Sequence, residues 1–138
     1  MGDWIFQADH PVDDEVAQQP EDWWNTPHHR SEIAVGDRVW LQVSGRHRPG
    51  LYYVAGVIRP VYESAEITYP ERPSFGRWRT DILFEYRIVP PLLRSELLQD
   101  PQLASFSPLR GFQASNRPVP AAIASRLLKL ATLVPLAE

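Results

Sequence analysis

The sequence predicts an α+β domain in which short strands curl into a small closed barrel and helices pack around it. Three observations carry this. Val39, Leu41 and Val43 alternate with Trp40 and Gln42, the period of two that puts one face of a strand on a core. Leu51 to Ile58 is apolar on both faces, as a strand enclosed on both sides requires. Pro120 to Val134 sets Ile123, Leu127, Leu130 and Val134 on one face of a helix that begins with proline at a permitted first-turn position and stops at Pro135. The length, 138 residues, fits one module over residues 1–138, and 14 prolines keep its elements short.

In chain order, Trp4 to Ala8 reads as a first strand that ends at the turn Asp9-His10-Pro11. Val12 to Pro20 is acidic and supports one or two helical turns. Glu21 to Ile33 has no clean period, but Trp23 and Trp24 side by side in a polar setting suggest one ring in a core and the other pointing elsewhere. Gly36-Asp37 starts the strand at Val39. The linker Ser44-Gly45-Arg46-His47-Arg48-Pro49-Gly50 leads to the next strand, and from Arg38 to Arg59 there are four arginines and no acid, a local positive field.

Pro60 to Thr80 is broken by Pro60, Pro70, Pro73 and Gly76 and reads as a surface excursion, partly extended at Glu66 to Tyr69. Thr80 to Val89 alternates, with Ile82, Phe84, Tyr86 and Ile88 on one face, and Pro90-Pro91 is expected to stop it. Leu92 to Leu98 reads as a short helix and Gln102 to Phe106 as a turn. Between Pro108 and Pro118 the tract LRGFQASNR reads as a loop rich in hydrogen-bonding side chains.

Composition excludes several chemistries. With no cysteine there is no disulfide, thiolate catalysis or cysteine-type zinc site, and cytoplasm is the simplest compartment. No apolar run reaches the roughly 18 to 20 residues of a membrane span, and the acidic amino terminus does not read as a secretory signal. Histidines 10, 28, 29 and 47 lack the i, i+4 spacing of a helical metal pair, and Asp13-Asp14-Glu15 lacks the alternating spacing of a calcium loop. Neither a metal nor a cofactor is expected. The only lysine, Lys129, falls inside the terminal helix pattern. Net charge is -3, with nine acids against one arginine in residues 1–37 and eight acids against 13 bases in residues 38–138. Binding rather than catalysis is expected, through a local basic face rather than a broadly basic surface.

The order and spacing of several short motifs then resemble one family. A tryptophan-bearing first strand, Trp23-Trp24, Gly36-Asp37-Arg38-Val39, Ser44-Gly45, Gly50-Leu51-Tyr52 and Gly56-Val57 follow one another as in the EVE domain of the PUA-like superfamily. Leu97 to Leu109 is similar to the family's L-x-x-D-P-x-L run before an L-R-G loop, and the likeness runs from Trp4 to about Leu130.

The resemblance implies a PUA-like mixed β-barrel of five or six strands with flanking short helices, and a pocket for a flipped, chemically modified base. EVE domains resemble the YTH readers of methylated adenine in RNA; several members read modified cytosine or methylated adenine in DNA, and many are associated with restriction systems. The implied partner is therefore DNA, or RNA second, carrying a modified base, with restriction or defence-system proteins as associated partners. By position, Trp24 matches the stacking tryptophan, with Asn25, Thr26 and His29 in the tract after it. Gln7, Ala8 and Asp9 match the pocket rim, Ser44 and Gly45 the base edge, and Arg110, Gly111, Ser115 and Asn116 the late loop that closes the site. Charge alone assigns Arg46 and Arg48 to phosphates. Where the family commonly has a valine and an arginine-tyrosine pair after Trp24, this chain has Thr26 and His28-His29, which implies a different base preference or weaker binding. Two other classes compete: a hydrolase of modified nucleosides like the ASCH relatives, against which the missing pocket lysine counts, and a PUA-like RNA-binding or protein-interaction module.

Overall fold

The computed structural model describes residues 1–44, 48–110 and 115–136. Its elements run β1 (Asp3–Ala8), α1 (Asp13–Gln18), β2 (Glu21–Asn25), β3 (Arg38–Val43), β4 (Gly50–Glu63), β5 (Trp78–Leu93), α2 (Arg94–Leu97), α3 (Ser107–Arg110), β6 (Asn116–Val119), α4 (Ala121–Leu130) and β7 (Leu133–Pro135). One seven-stranded sheet takes the order β2-β5-β4-β3-β1-β6, with β7 added on β5. Among the described residues no ladder joins β2 to β6, so the closed barrel expected from the strand pattern is not closed by backbone bonds. Side chains span the gap instead: the Trp24 indole N–H donates to the Gln7 carbonyl, and Asn25 reaches Ser115.

β1 and β3 pair in parallel from Asp3↔Arg38 to Ala8↔Val43, while β6 runs antiparallel to β1 with Asn116 opposite Phe6. The carboxyl ends of two strands and the start of a third therefore share one edge. Gln7, Ala8, Ser44 and Ser115 meet there by topology. The opposite end of β1 is held by Asp37, whose buried carboxylate accepts the Gly2 N–H at 2.9 Å, the Ala34 N–H at 3.0 Å and the Trp4 indole N–H at 2.9 Å. Burial alone would raise the Asp37 pKa, but those three donors outweigh it and hold the carboxyl below its usual range.

Two apolar layers flank the sheet. Trp4, Phe6, Val39, Leu41, Tyr53, Ala55, Ile82 and Phe84 form one with Val12 and Val16 from around α1. Ile5, Trp40, Leu51, Val54 and Ile88 form the other with Leu97, Leu103, Leu109, Ala124 and Leu127. Trp40 and Gln42, which alternation alone sets on an open face, are thus buried, because helices and turns cover that side too.

β5 departs from its sequence reading twice. Ile82 and Phe84 enter the first layer, whereas Tyr86 and Ile88 enter the second. The pairing steps from Ala55↔Phe84 to Val54↔Tyr86, so Glu85 is an extra residue, and a bulge reverses which face the following side chains take. The strand also passes through Pro90-Pro91 to Leu93. Between Tyr53↔Arg87 and Leu51↔Leu92, four β5 residues face one β4 residue, so neither proline has to donate a ladder bond. Leu92 and Leu93 consequently belong to the strand, and the helix predicted from Leu92 is confined to Arg94–Leu97. At the far side of this junction a Cβ on Gly50 would stand 2.4 Å from the Leu92 carbonyl oxygen, so only glycine lets the strands approach.

The terminal helix ends at Leu130 rather than Val134, because the Arg87 stretch of β5 takes β7 as its next strand; Val134 pairs with Arg87 and is 44% exposed. The excursion between β4 and β5 has no strand at Glu66 to Tyr69. It is pinned by aromatic contacts: Phe75 lies 6.4 Å from Trp23 and 5.4 Å from Tyr69, and the buried Arg79 guanidinium stacks 3.9 Å over Trp23 while bonding the Gly76 carbonyl and Thr68. Trp23 therefore faces the excursion, and Trp24 faces the core.

Candidate functional site

The shared edge of β1, β3 and β6, together with the end of β2, gathers Trp24, Asn25, Gln7, Ala8, Ser44 and Ser115 of the sequence-predicted site residues. Trp24 is partly buried against the first apolar layer, with Phe84 edge-to-face at 6.1 Å, and its indole N–H donates to the Gln7 carbonyl at 2.9 Å. A Trp placed this way has a fixed ring plane, which a stacking platform needs. The Gln7 N–H donates to the Ser115 carbonyl at 2.9 Å. Ser44 gives both its backbone N–H and its hydroxyl to the Ala8 carbonyl, at 2.8 and 3.2 Å. Its hydroxyl oxygen keeps lone pairs for a ligand donor. Asn25 donates to the Ser115 hydroxyl at 3.2 Å and accepts the Gly76 N–H at 3.0 Å, linking β2, the excursion and the start of β6.

The Gln7 side chain has an orientation that can be deduced. Gln42 donates its amide to the Pro108 carbonyl at 2.9 Å, and a carbonyl can only accept, so the Gln42 oxygen must face the other way. Gln7 then donates its amide nitrogen to that oxygen at 3.0 Å. The Gln7 side-chain oxygen is left buried and without a partner among the described residues. An unsatisfied buried acceptor costs about 1–3 kcal/mol, so it would be relieved by any donor brought to it. Sequence reading reaches Gln7 but misses Gln42, which looks like an ordinary polar position in an alternating strand.

Other predicted residues take different roles. Thr26 is 0% exposed, its hydroxyl shared with Thr80 at 2.7 Å and its N–H given to the Trp78 carbonyl, so it braces β2 on β5. Asn116, also 0% exposed, clamps the backbone of His28: its amide donates to the His28 carbonyl at 2.6 Å and its oxygen accepts the His28 N–H at 3.3 Å. His29 does not stand opposite Trp24. Its ring packs 5.7 Å from Trp4, at the far end of β1, with Nδ1 3.4 Å from Glu32. At about 3.3 Å per residue, Trp4 and Gln7 are roughly 10 Å apart along the strand.

Asp9 is exposed beside the site and bonds His10 Nδ1 at 2.8 Å, while His10 Nε2 reaches Glu15 at 2.9 Å. The His10 bond is the main reason the Asp9 pKa falls, and the Asp9 bond is the main reason that of His10 rises. Arg48 and Arg110 are exposed. Gly45, Arg46 and Gly111 lie outside the described residues.

A tryptophan platform with small polar groups on rigid strand ends suits a flat heteroaromatic ring. Comparison with known proteins agrees at the level of fold. A family model described as EVE domain matches residues 3–130. A hypothetical protein from Leishmania major superposes with a TM-score of 0.74 at 20% identity, covering 94% of each chain. Human THYN1 protein in complex with 5-methylcytosine-containing DNA superposes at 0.71 and 12% identity, over 94% of this chain and 97% of that one. The YTH domain of Zygosaccharomyces rouxii MRB1 protein, in complex with N6-methyladenosine RNA, gives 0.58 at 11% identity over 99% and 91%. The sequence matches none of the curated proteins.

Proposed function

Since this chain belongs to the EVE domain family, we propose that it is a non-enzymatic module that reads a modified base, in DNA in preference to RNA, extruded from its strand and stacked on Trp24. The observation that carries the reading is the Trp24 indole pinned at the shared end of β1, β3 and β6; Gln7, on the same strand end, has a side-chain oxygen with no partner among the described residues. Modified cytosine and methylated adenine each present an amino N–H at the edge of the ring, the group that oxygen lacks. The human and yeast proteins of the same fold, held in complex with methylated DNA and methylated RNA, support this class of ligand. Stacking returns about 1–3 kcal/mol per base while extrusion costs a few, so the polar edge contacts decide whether binding wins.

The hydrolase alternative has less support, since Lys129 is exposed on α4 and is the only lysine in the sequence. The test is an oligonucleotide panel carrying methylated and hydroxymethylated cytosine and methylated adenine, read by fluorescence anisotropy. One modified base should bind tightest, and Trp24→Ala should abolish that preference. Equal affinity for modified and plain oligonucleotides would refute the reading.

A further inference from the structure

Arg30 has surroundings that differ from those of an ordinary surface arginine. Its guanidinium lies 3.9 Å over the Trp78 ring, yet among the described residues no carboxylate comes within ion-pair distance of it. Arg77, near the same indole at 5.5 Å, is by contrast neutralised by Glu63 at 2.8 Å, and the nearby Glu32 is turned toward His29. Stacking holds the planar fork of N–H donors without consuming any of them, the arrangement in which arginine takes a phosphate bidentately.

Arg30 also lines an open depression of about 620 Å³ formed by Pro27, His28, His29, Arg30 and Ser31. Its lining is polar and open to solvent, unlike the enclosed apolar sites of small molecules, and suits a charged strand lying across it. This loop is tied to the base site from both directions. It leaves β2 directly after Trp24 and Asn25, and Asn116 clamps His28 while the adjacent Ser115 is bonded by Asn25. A nucleotide seated on Trp24 therefore has its neighbour's backbone beside this loop.

We propose that the Pro27–Ser31 depression, with Arg30 as its charged group, is the seat of a phosphate flanking the extruded nucleotide. This rests on the base-reader reading and adds a contact that no motif signalled, since Arg30 stands alone in the acidic amino-terminal stretch of the sequence. The phosphate contact is independent of base identity.

The test measures affinity of wild type, Arg30→Ala, Arg30→Lys and Trp24→Ala for one modified and one plain oligonucleotide between 50 and 200 mM salt. One lost phosphate contact lowers the magnitude of the log–log salt slope by about 0.7 to 0.9, about a threefold change in affinity across that range. Arg30→Ala should show this shallower slope and weaken both oligonucleotides by the same factor; Arg30→Lys should keep the wild-type slope with lower affinity. Trp24→Ala should instead remove the preference and leave the slope alone. A wild-type slope in Arg30→Ala overturns the phosphate seat even if the preference is present. A shallower slope without any preference upholds the seat and sinks the base reading, and failure to bind either oligonucleotide overturns both.

Discussion

If the Gln7 oxygen reads the base edge, the protein will separate bases by amino against keto character. 5-Methylcytosine and thymine test this contact: both carry the 5-methyl group, and they differ at C4, amino in one and carbonyl in the other, and at the adjoining N3, acceptor in one and N–H donor in the other. With 5-methylcytosine the buried Gln7 oxygen gains a donor. With thymine two acceptors oppose each other, and the unsatisfied pair costs about 1–3 kcal/mol, roughly a 5- to 150-fold difference in affinity. Gln42 cannot relieve the clash by rotating, since its own amide is committed to the Pro108 carbonyl. Gln7→Met deletes the acceptor at similar volume and should bring the two affinities close together. It also strands the Gln42 oxygen, so urea unfolding should report a loss of about 1–3 kcal/mol. Anisotropy on matched oligonucleotides gives the ratio; if the panel selects methylated adenine, hypoxanthine serves as the keto partner. Folded Gln7→Met with an unchanged amino-to-keto ratio would refute the assignment.

Two stability predictions accompany it. Asp37→Ala removes the acceptor of three N–H groups at the head of β1 and should cost about 2–4 kcal/mol in urea unfolding. Because the folded-state pKa of Asp37 is depressed, its contribution is full above the unfolded value near 4 and is lost as pH falls through the folded value; the acid limb of the wild-type stability curve should therefore be steeper than that of Asp37→Asn. Gly50→Ala would force a methyl against the Leu92 carbonyl at 2.4 Å, so the β4–β5 junction must separate. A loss of about 1–3 kcal/mol is expected, and an unchanged urea midpoint would show that the strands can part without cost.

Much of the fold was legible because its signal is local. Val39, Leu41 and Val43 are buried as their alternation predicts, and of Leu51 to Ile58, read as apolar on both faces, all but the exposed Ile58 are buried or half-buried. Trp24 could be singled out because its place in the order of motifs matches the family's, although the tract just after it does not. Other positions misled for a physical reason. One bulge at Glu85 sends Tyr86 and Ile88 to the opposite layer, and no periodicity can anticipate an extra residue opposite another strand. Pro90-Pro91 reads as a stop until the partner strand is seen to leave those residues unpaired. β7 forms because an edge of β5 is open, a fact about the sheet rather than about Leu133 to Pro135.

The sequence by itself determined the α+β class and the family, and it pointed to the tryptophan proposed to stack a base. Hydrophobic period, turn chemistry and motif order are properties of neighbouring residues, and they survive without coordinates. Only the tertiary structure decided which polar groups meet. The parallel pairing of β1 with β3 brings Gln7 to Gln42 and Ala8 to Ser44 across more than thirty residues, and it also sets Trp4, with His29 on it, at the other end of the strand from Trp24. Thr26 and Asn116 became braces because burial consumed their hydrogen bonds, and Arg30 became a candidate contact because Trp78 lies beneath it. Donors, acceptors and free charges are settled by what stands opposite them, and that is long-range information.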